Sequence, residues 1–150
     1  IPVEIFRISG IYGKYRNVIK QIRSKNISPI FKENHVFNRI HEQDIARVLS
    51  EAACSKINSG IINLSDSFPA SQLDVINYAA KIMKISISKH QNYKDIYNNL
   101  SDPVQRFWNN NRRVDNSLLI ERYGELIFPS YKEGLDYIYK DYLLTSLNKD

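Results

Sequence analysis

Three residues that could do chemistry stand close together near one third of the chain: Arg39, His41 and Asp44. A planar guanidinium binds carboxylate or phosphate oxygens two at a time, and an imidazole can carry a proton near neutral pH. A carboxylate beside them can orient either group. The spacing of these residue types therefore indicates a site for an anionic ligand.

The hydrophobic pattern around these residues changes period within residues 36–49. Its first part is β-branched or aromatic, which favours a short strand, and its second part repeats every three or four residues, which predicts a helix. The apolar residues of the two parts are Val36, Phe37 and Ile40, then Ile45, Val48, Leu49, Ala52 and Ala53. A structural interpretation is also open: Asp44 caps the helix, His41 bonds to backbone and Arg39 is solvated.

Composition limits the classes of protein to consider. The chain has 150 residues, 43% hydrophobic and 25% charged, which is typical of one globular unit with a core. A net charge of +5 favours an anionic partner: nucleic acid, an anionic membrane or a phosphorylated small molecule. No apolar run could span a bilayer and no signal peptide is recognisable, so we expect a cytoplasmic protein. The single Cys54, on an apolar helical stripe, predicts a small buried residue.

Candidate residues also lie near the start of the chain. Residues 3–9 read as a strand buried on both faces, and the turn that follows contains Gly10 and Gly13. A helix over residues 17–24 has a basic outer surface, which is either a solvated face or, at Arg16, a phosphate contact.

Two arginines stand near a further helix predicted from residue 102, with Asp102 as its cap and Pro103 at its first position. Arg106 lies on this helix and Arg113 follows it. Paired guanidiniums suit a diphosphate, and ordinary surface arginines are the alternative.

The remaining pattern completes an alternation of strands and helices. It predicts an edge strand over residues 28–32, a linker over 85–92 and a strand over 61–65, with Gly60 closing the central helix. Ser71 begins one helix as its cap, and Ser130 with Glu133 forms a capping box that begins the last one.

These motifs carry a resemblance to a known family. Residues 39–46 resemble the Arg-x-His-x-x-Asp-hydrophobic-Ala segment of the extended short-chain dehydrogenase/reductases, the NAD(P)-dependent epimerase/dehydratase family. Pro2, Arg7 and Tyr12-Gly13 resemble the strand and turn after that family's catalytic helix. Residues 126–135 resemble its closing Leu-x-Phe-Pro-x-Tyr-x-Glu-Gly-Leu motif, and residues 93–116 resemble an oxidoreductase-like subgroup labelled nucleoside-diphosphate-sugar epimerases.

The resemblance implies an α/β fold: the C-terminal portion of an NAD(P)-binding Rossmann-type fold with its small substrate-binding α+β subdomain. It implies that Ser9, Gly10 and Ile11 lie beside the nicotinamide of NAD or NADP. It also implies a set of residues that bind a nucleotide sugar or another phosphorylated small molecule: Tyr12, Arg16, Arg39, His41, Arg106 and Arg113. Gly10 stands where many sugar epimerases have a substrate-binding Asn, and Lys14 stands where many members have Pro.

Two family motifs are absent from the 150 residues: the Gly-rich turn that binds the dinucleotide and the Tyr-x-x-x-Lys pair. We therefore expect residues 1–150 to be a single unit, the substrate-binding C-terminal part, without the dinucleotide-binding half. We expect no catalytic residue, no metal site and no cofactor held by this chain alone. Because the sequence begins at Ile1 within a strand pattern, a fragment or a split reading frame is expected, with a separately encoded N-terminal half as a candidate partner.

Three functions are compatible with the sequence. The leading one is the substrate-binding fragment of an NAD(P)-dependent epimerase/dehydratase-like oxidoreductase, inactive alone. The second is a basic nucleic-acid-binding module, supported by the charge and ten tyrosines, but no reader motif is present. The third is a non-functional remnant of a split gene. We expect neither a membrane partner nor specific nucleic-acid binding.

Overall fold

The computed structural model describes residues 3–55, 59–87 and 90–147. Pro2, part of the family resemblance, lies outside the described residues. The elements, in chain order, are β1 (Glu4–Ile8), β2 (Gly10–Tyr12), α1 (Val18–Arg23), β3 (Ile30–Phe31), β4 (Arg39–His41), α2 (Glu42–Cys54), β5 (Gly60–Leu64), α3 (Gln72–Ile82), β6 (Gln91–Asn92), α4 (Tyr93–Ile96), a 3-10 turn (Tyr97–Asn99), α5 (Asp102–Asn109), α6 (Ser117–Tyr123) and α7 (Tyr131–Leu147).

The described strands pair in parallel, as expected when helices connect them. β1 pairs with β5 from Glu4 opposite Gly60 to Ile8 opposite Leu64. β2 pairs with β4, and β3 pairs with β6. Each pair joins segments that are far apart in sequence, and the mixed α/β class expected from the sequence is confirmed.

Two hydrophobic clusters hold the elements together. One joins α1, α3 and α7 through the buried residues Tyr12, Ile19, Ile22, Ala70, Val75, Ala79, Tyr131, Leu135 and Ile138. The other joins β4, β5, α2 and α6 through Ile40, Val48, Ile62, Leu64, Leu119 and Leu126. Tyr12 therefore belongs to the first cluster while its strand partner β4 reaches into the second.

The two faces of the β1–β5 pair differ in burial. Phe6 packs against the second cluster, and its partner Ile62 is fully buried. On the opposite face Ile5 is 50% exposed and its partner Ile61 is 46% exposed. The strand predicted to be buried on both faces is thus covered on only one of them in this chain.

Four expectations about local structure are corrected. Gly60 does not close α2, which ends at Cys54; it begins β5, with φ of +146°. Cys54 is exposed rather than buried, because it lies on the last turn, beyond the packed part of α2. The linker over residues 85–92 contains β6, and the cap of α5 is Ser101 rather than Asp102.

Within the described residues, no helix combines the length and the apolar character that crossing a membrane requires.

Candidate functional site

The two segments that carry most of the candidate residues meet through the pairing of β2 with β4. Gly10 lies opposite Arg39, and Tyr12 lies opposite His41. These residues are about thirty positions apart in sequence, so the contact depends on the tertiary fold. It creates a cavity at the ends of the strands.

This cavity, which we call the strand-end cavity, has a volume of about 370 Å³. Helices α1, α3, α5 and α7 contribute the rest of its wall, including Phe107 and Tyr131. Five of the residues singled out in the sequence line it: Gly10, Ile11, Tyr12, Arg16 and Arg39.

Arg39 is a buried cation in the cavity wall, 8% exposed. Its Nη1 donates hydrogen bonds to the carbonyls of Phe37 and Ala70, both at 3.1 Å. Its guanidinium carbon lies 3.8 Å from the centre of the Phe37 ring. Burial lowers the pKa of Arg39 to about 10, partly offset by the nearby Asp66, so the side chain stays charged at neutral pH. A desolvated cation held this way favours an anion in the cavity.

Asp66 is the carboxyl nearest to this cation, and sequence reasoning missed it. It is fully buried after β5, and its Oδ1 accepts from the backbone N–H of Arg39 at 3.1 Å and from Asn38 Nδ2 at 3.3 Å. Burial raises the pKa of Asp66 to about 6. A carboxyl directly following a predicted strand was the only signal that could have pointed to it.

Tyr12 is held as a wall of the site rather than as a reactive hydroxyl. Its Oη donates to the carbonyl of Ser130 at 3.4 Å. Burial is the main cause that raises the pKa of Tyr12, and the charges of Asp66 and Asp44 add to it. Gly134 of α7 makes room for the ring, because a Cβ at that position would collide with the Tyr12 hydroxyl.

His41 caps α2 and is fully buried. Its Nδ1 accepts from the N–H of Gln43 at 3.2 Å, and its ring lies 4.1 Å from that of Phe128 and 5.1 Å from that of Tyr12. Burial lowers the pKa of His41. The histidine thus stands behind Tyr12, away from the strand-end cavity.

Asp44 ties the start of α2 to the segment before α7. Its carboxylate accepts from the N–H of Ile127 at 2.7 Å and from that of Phe128 at 3.0 Å. The cap of α2 is His41, so Asp44 is a long-range anchor rather than a residue acting only on its own helix.

The other candidate residues are not brought into the strand-end cavity. Ser9 precedes β2, and its N–H donates to the carbonyl of Leu64. Arg106 is exposed on α5 beside the cavity residue Phe107. Arg113 is exposed in the extended segment after α5, next to Val114, whose N–H donates to Asn38 Oδ1 at 2.9 Å.

Metal ligands are not clustered here. Across residues 3–55, 59–87 and 90–147, no group of three His, Cys, Asp or Glu side chains is arranged to hold a metal ion.

No protein-family model matches the sequence, and no curated protein matches it. Solved structures do match. A conserved protein of unknown function from Silicibacter pomeroyi is 31% identical over 94% of this chain and 50% of its own, with a TM-score of 0.84. A human epimerase family protein solved with NADPH is 14% identical over 93% of this chain and 49% of its own, with a TM-score of 0.78.

A UDP-glucuronic acid 4-epimerase mutant from Bacillus cereus, in complex with NAD and UDP-4-deoxy-4-fluoro-glucuronic acid, also matches. It is 20% identical over 95% of this chain and 46% of its own, with a TM-score of 0.61. The fold is part of a Rossmann-type epimerase/dehydratase fold. This confirms the fold class expected from the sequence. The chain spans about half the length of these matching structures.

Proposed function

We propose that this chain is the C-terminal, substrate-binding part of an NAD(P)-dependent epimerase/dehydratase-like oxidoreductase. The observation that carries the proposal is the β2–β4 pairing, which sets the buried Arg39 in the wall of a cavity beside Gly10 and Ile11. Proteins of the same fold were solved with NADPH, with NAD and with a UDP-sugar, which supports this chemistry for the complete protein.

The proposed substrate is a nucleotide sugar or another phosphorylated small molecule. Arg39 supplies a desolvated charge at the floor of the strand-end cavity, and the exposed Arg16 supplies a second cation at its rim. We assign Arg106 and Arg113, which are exposed on and after α5, to the same anion in the complete protein, because Phe107 of α5 forms part of the cavity wall. Guanidiniums suit this task because each can bind two phosphate oxygens and stays charged.

The proposed cofactor contact is limited to the nicotinamide end. Ile11 is apolar and 47% exposed, and Gly10 beside it has no side chain, so both residues offer a surface against which a planar ring can lie. The Gly-rich turn that binds the pyrophosphate is not in this sequence. NAD or NADP would therefore be bound by the complete protein, where the nicotinamide supplies hydride transfer.

The β1–β5 pair has an exposed apolar face that is suited to contact a dinucleotide-binding half. Val3, Ile5 and Ile61 are exposed on one face of the β1–β5 pair, whereas a parallel sheet of this fold class is normally covered on both faces. We assign this face to the dinucleotide-binding half, whether joined to this chain or separately encoded.

Substrate binding can be tested in a protein that joins this chain to a dinucleotide-binding half. UDP-glucuronic acid is titrated against the fluorescence of bound NADPH, which reports on ligands near the nicotinamide. Arg39→Ala and Arg113→Ala should each weaken binding roughly ten- to a hundredfold. Arg16→Gln should also weaken the binding of UDP-glucuronic acid, and because Arg16 is exposed the variant should still fold.

The matched control is Arg23→Ala, an exposed arginine at the end of α1 that does not line the strand-end cavity. It should leave the titration unchanged, and equal losses in all variants would mean general electrostatics instead of a site. The chain alone should show no NAD(P)-dependent turnover, and measurable turnover by the purified chain would contradict the proposal that it lacks the catalytic half.

A further inference from the structure

A second concavity lies on the other side of α1, between this helix and α7. Its volume is about 720 Å³, and we call it the helix groove. Lys20 and Arg23 line it from α1, Tyr137 and Tyr142 line it from α7, and His41 lies at its base. The proposed function uses none of the exposed residues of this groove.

One end of the groove is built for an anion. Lys20 and Arg23 both lie in the last turn of α1. The guanidinium carbon of Arg23 lies 3.7 Å from the centre of the Tyr142 ring, so the guanidinium lies over an aromatic face. A stacked guanidinium keeps the N–H groups at its edge available to phosphate oxygens.

The acidic residues of the groove set the direction of the ligand. Asp141 forms an ion pair with Lys14 at 3.2 Å, which cancels its charge locally. Glu42, at the α2 end of the groove, accepts a hydrogen bond from the backbone N–H of Lys14 at 2.7 Å. An anion is therefore favoured near Lys20 and Arg23 and disfavoured near Glu42.

The α2 end offers aromatic surface and hydrogen bonds instead. Tyr137 is 46% exposed, and its hydroxyl accepts from Gln43 Nε2 at 3.1 Å. Tyr15, which precedes α1, is highly exposed and lines the same groove. His41 Nε2 is buried without a hydrogen-bond partner among the described residues, and it carries the proton because Nδ1 accepts from the N–H of Gln43. From Tyr137 to Tyr142, on which Arg23 stacks, the helix rises about 7.5 Å, which separates the aromatic end from the anion end.

We propose that the helix groove binds a nucleoside monophosphate, with its phosphate at Lys20 and Arg23 and its base between Tyr15 and Tyr137. The amide of Gln43 and the hydroxyl of Tyr137 present both donors and acceptors, as the edge of a nucleobase requires. The contacts of this site all come from this chain, and none of them lines the strand-end cavity.

The test uses the full 150-residue chain and adenosine 5′-monophosphate as the probe. Saturation-transfer NMR detects the ligand at micromolar protein, and the adenine protons should receive magnetisation. Arg23→Gln and Tyr137→Ala should each weaken binding about tenfold or more, as expected for a charge-assisted contact and for a stacked base. Lys94→Gln, on the exposed surface of α4 and outside both cavities, should leave it unchanged.

Several outcomes would overturn the proposal. If adenosine binds as tightly as the monophosphate, Lys20 and Arg23 do not bind the phosphate. If inorganic phosphate competes with the monophosphate at equal concentration, the tyrosines do not bind the base. A loss with Arg16→Gln but not Arg23→Gln would move the nucleotide to the strand-end cavity, and equal losses with Lys94→Gln would mean non-specific attraction. Tighter binding of a short oligoadenylate would favour a nucleic-acid surface, and no binding of the probe would exclude the site. None of these results decides the proposed function, whose test reports only at the nicotinamide.

Discussion

Two fully buried carboxyl groups stand at opposite ends of β4 and differ in how well they are satisfied. Asp44, just after the strand, accepts one backbone N–H on each oxygen, from Ile127 and Phe128. Asp66, beside the start of the strand, accepts two hydrogen bonds on Oδ1, while Oδ2 has no partner of hydrogen-bond geometry in the described part of the chain.

Both residues are equally buried, so burial cannot account for the difference. What differs is the number of N–H donors that each carboxyl group has. At Asp66, burial outweighs the help from the Arg39 backbone N–H, the Asn38 amide and the Arg39 charge, and the pKa rises to about 6. A buried carboxylate with both oxygens bonded acts as a structural anchor. One that lacks a donor can titrate near neutral pH, and here it does so next to the cation of the strand-end cavity.

The largest expected effect is the loss of the anchor. Asp44→Ala leaves the N–H groups of Ile127 and Phe128 without their charged acceptor, so the free energy of unfolding should fall by about 3–5 kcal/mol. Urea unfolding followed by circular dichroism measures it, with Asp95→Ala on exposed α4 as the control. A loss below about 1 kcal/mol would show that the two carboxyls do not differ as described.

The second largest effect is expected at Arg39, the buried cation at the start of β4. Arg39→Ala removes the hydrogen bonds of its guanidinium to the carbonyls of Phe37 and Ala70, which keep only their backbone bonds to each other's N–H, and should lower the free energy of unfolding by about 1–3 kcal/mol. It should also raise the pKa of Asp66 further, because the favourable charge is lost. Arg39→Lys keeps that charge, so the pKa of Asp66 should stay close to its value in the native chain. The lysine should not restore both hydrogen bonds to the carbonyls of Phe37 and Ala70. Identical titration of Asp66 in both variants would contradict the electrostatic part of this account.

The titration of Asp66 should be visible in the pH dependence of the free energy of unfolding. Because its folded pKa lies above the ordinary value of 3.8, the stability it contributes is complete below about pH 4 and is lost as pH rises through about 6. From pH 7 to pH 5, the native chain should therefore gain about 1 kcal/mol relative to Asp66→Asn. His35 and His41, whose pKa values burial lowers, act in the opposite direction, but both chains contain them. A difference that does not change with pH would refute the titration.

The smallest effect should be that of Asp66→Asn at pH 7. The amide removes the buried charge but brings N–H donors that need partners, so the two contributions nearly cancel, within about 1 kcal/mol. Chemical denaturation at pH 7 measures this change. A loss as large as that of Asp44→Ala would mean that Asp66 is as well satisfied as Asp44.

Sequence reasoning succeeded where a pattern depends on neighbouring residues. Ser71 caps α3 in a capping box with Asp74, and Ser130 bonds to Glu133 at the start of α7. These hydrogen bonds span only three residues, so the motif contains all the information needed. The same reasoning missed β6 and the exposure of Cys54, because both depend on which surfaces distant segments cover.

The candidate site shows the same division. The residue types at positions 39–44 were sufficient to indicate a cation, an imidazole and a carboxylate at a strand–helix junction. Their roles could not be predicted in the same way. The Asp44 oxygens bond to residues more than eighty positions away, and Gly134 matters only because the ring of Tyr12 packs against it.

The sequence by itself therefore determined the helix starts, the apolar faces and the residue types available for anion binding, since these follow from local hydrogen bonding and hydrophobic period. Only the tertiary structure decided that Arg16 and Arg39 share a cavity while Arg106 and Arg113 lie outside it. The reason is physical: the parallel pairing of β2 with β4 and the packing of α1 against α3 and α7 are long-range contacts chosen by burial. No local pattern specifies which distant side chains such contacts bring together.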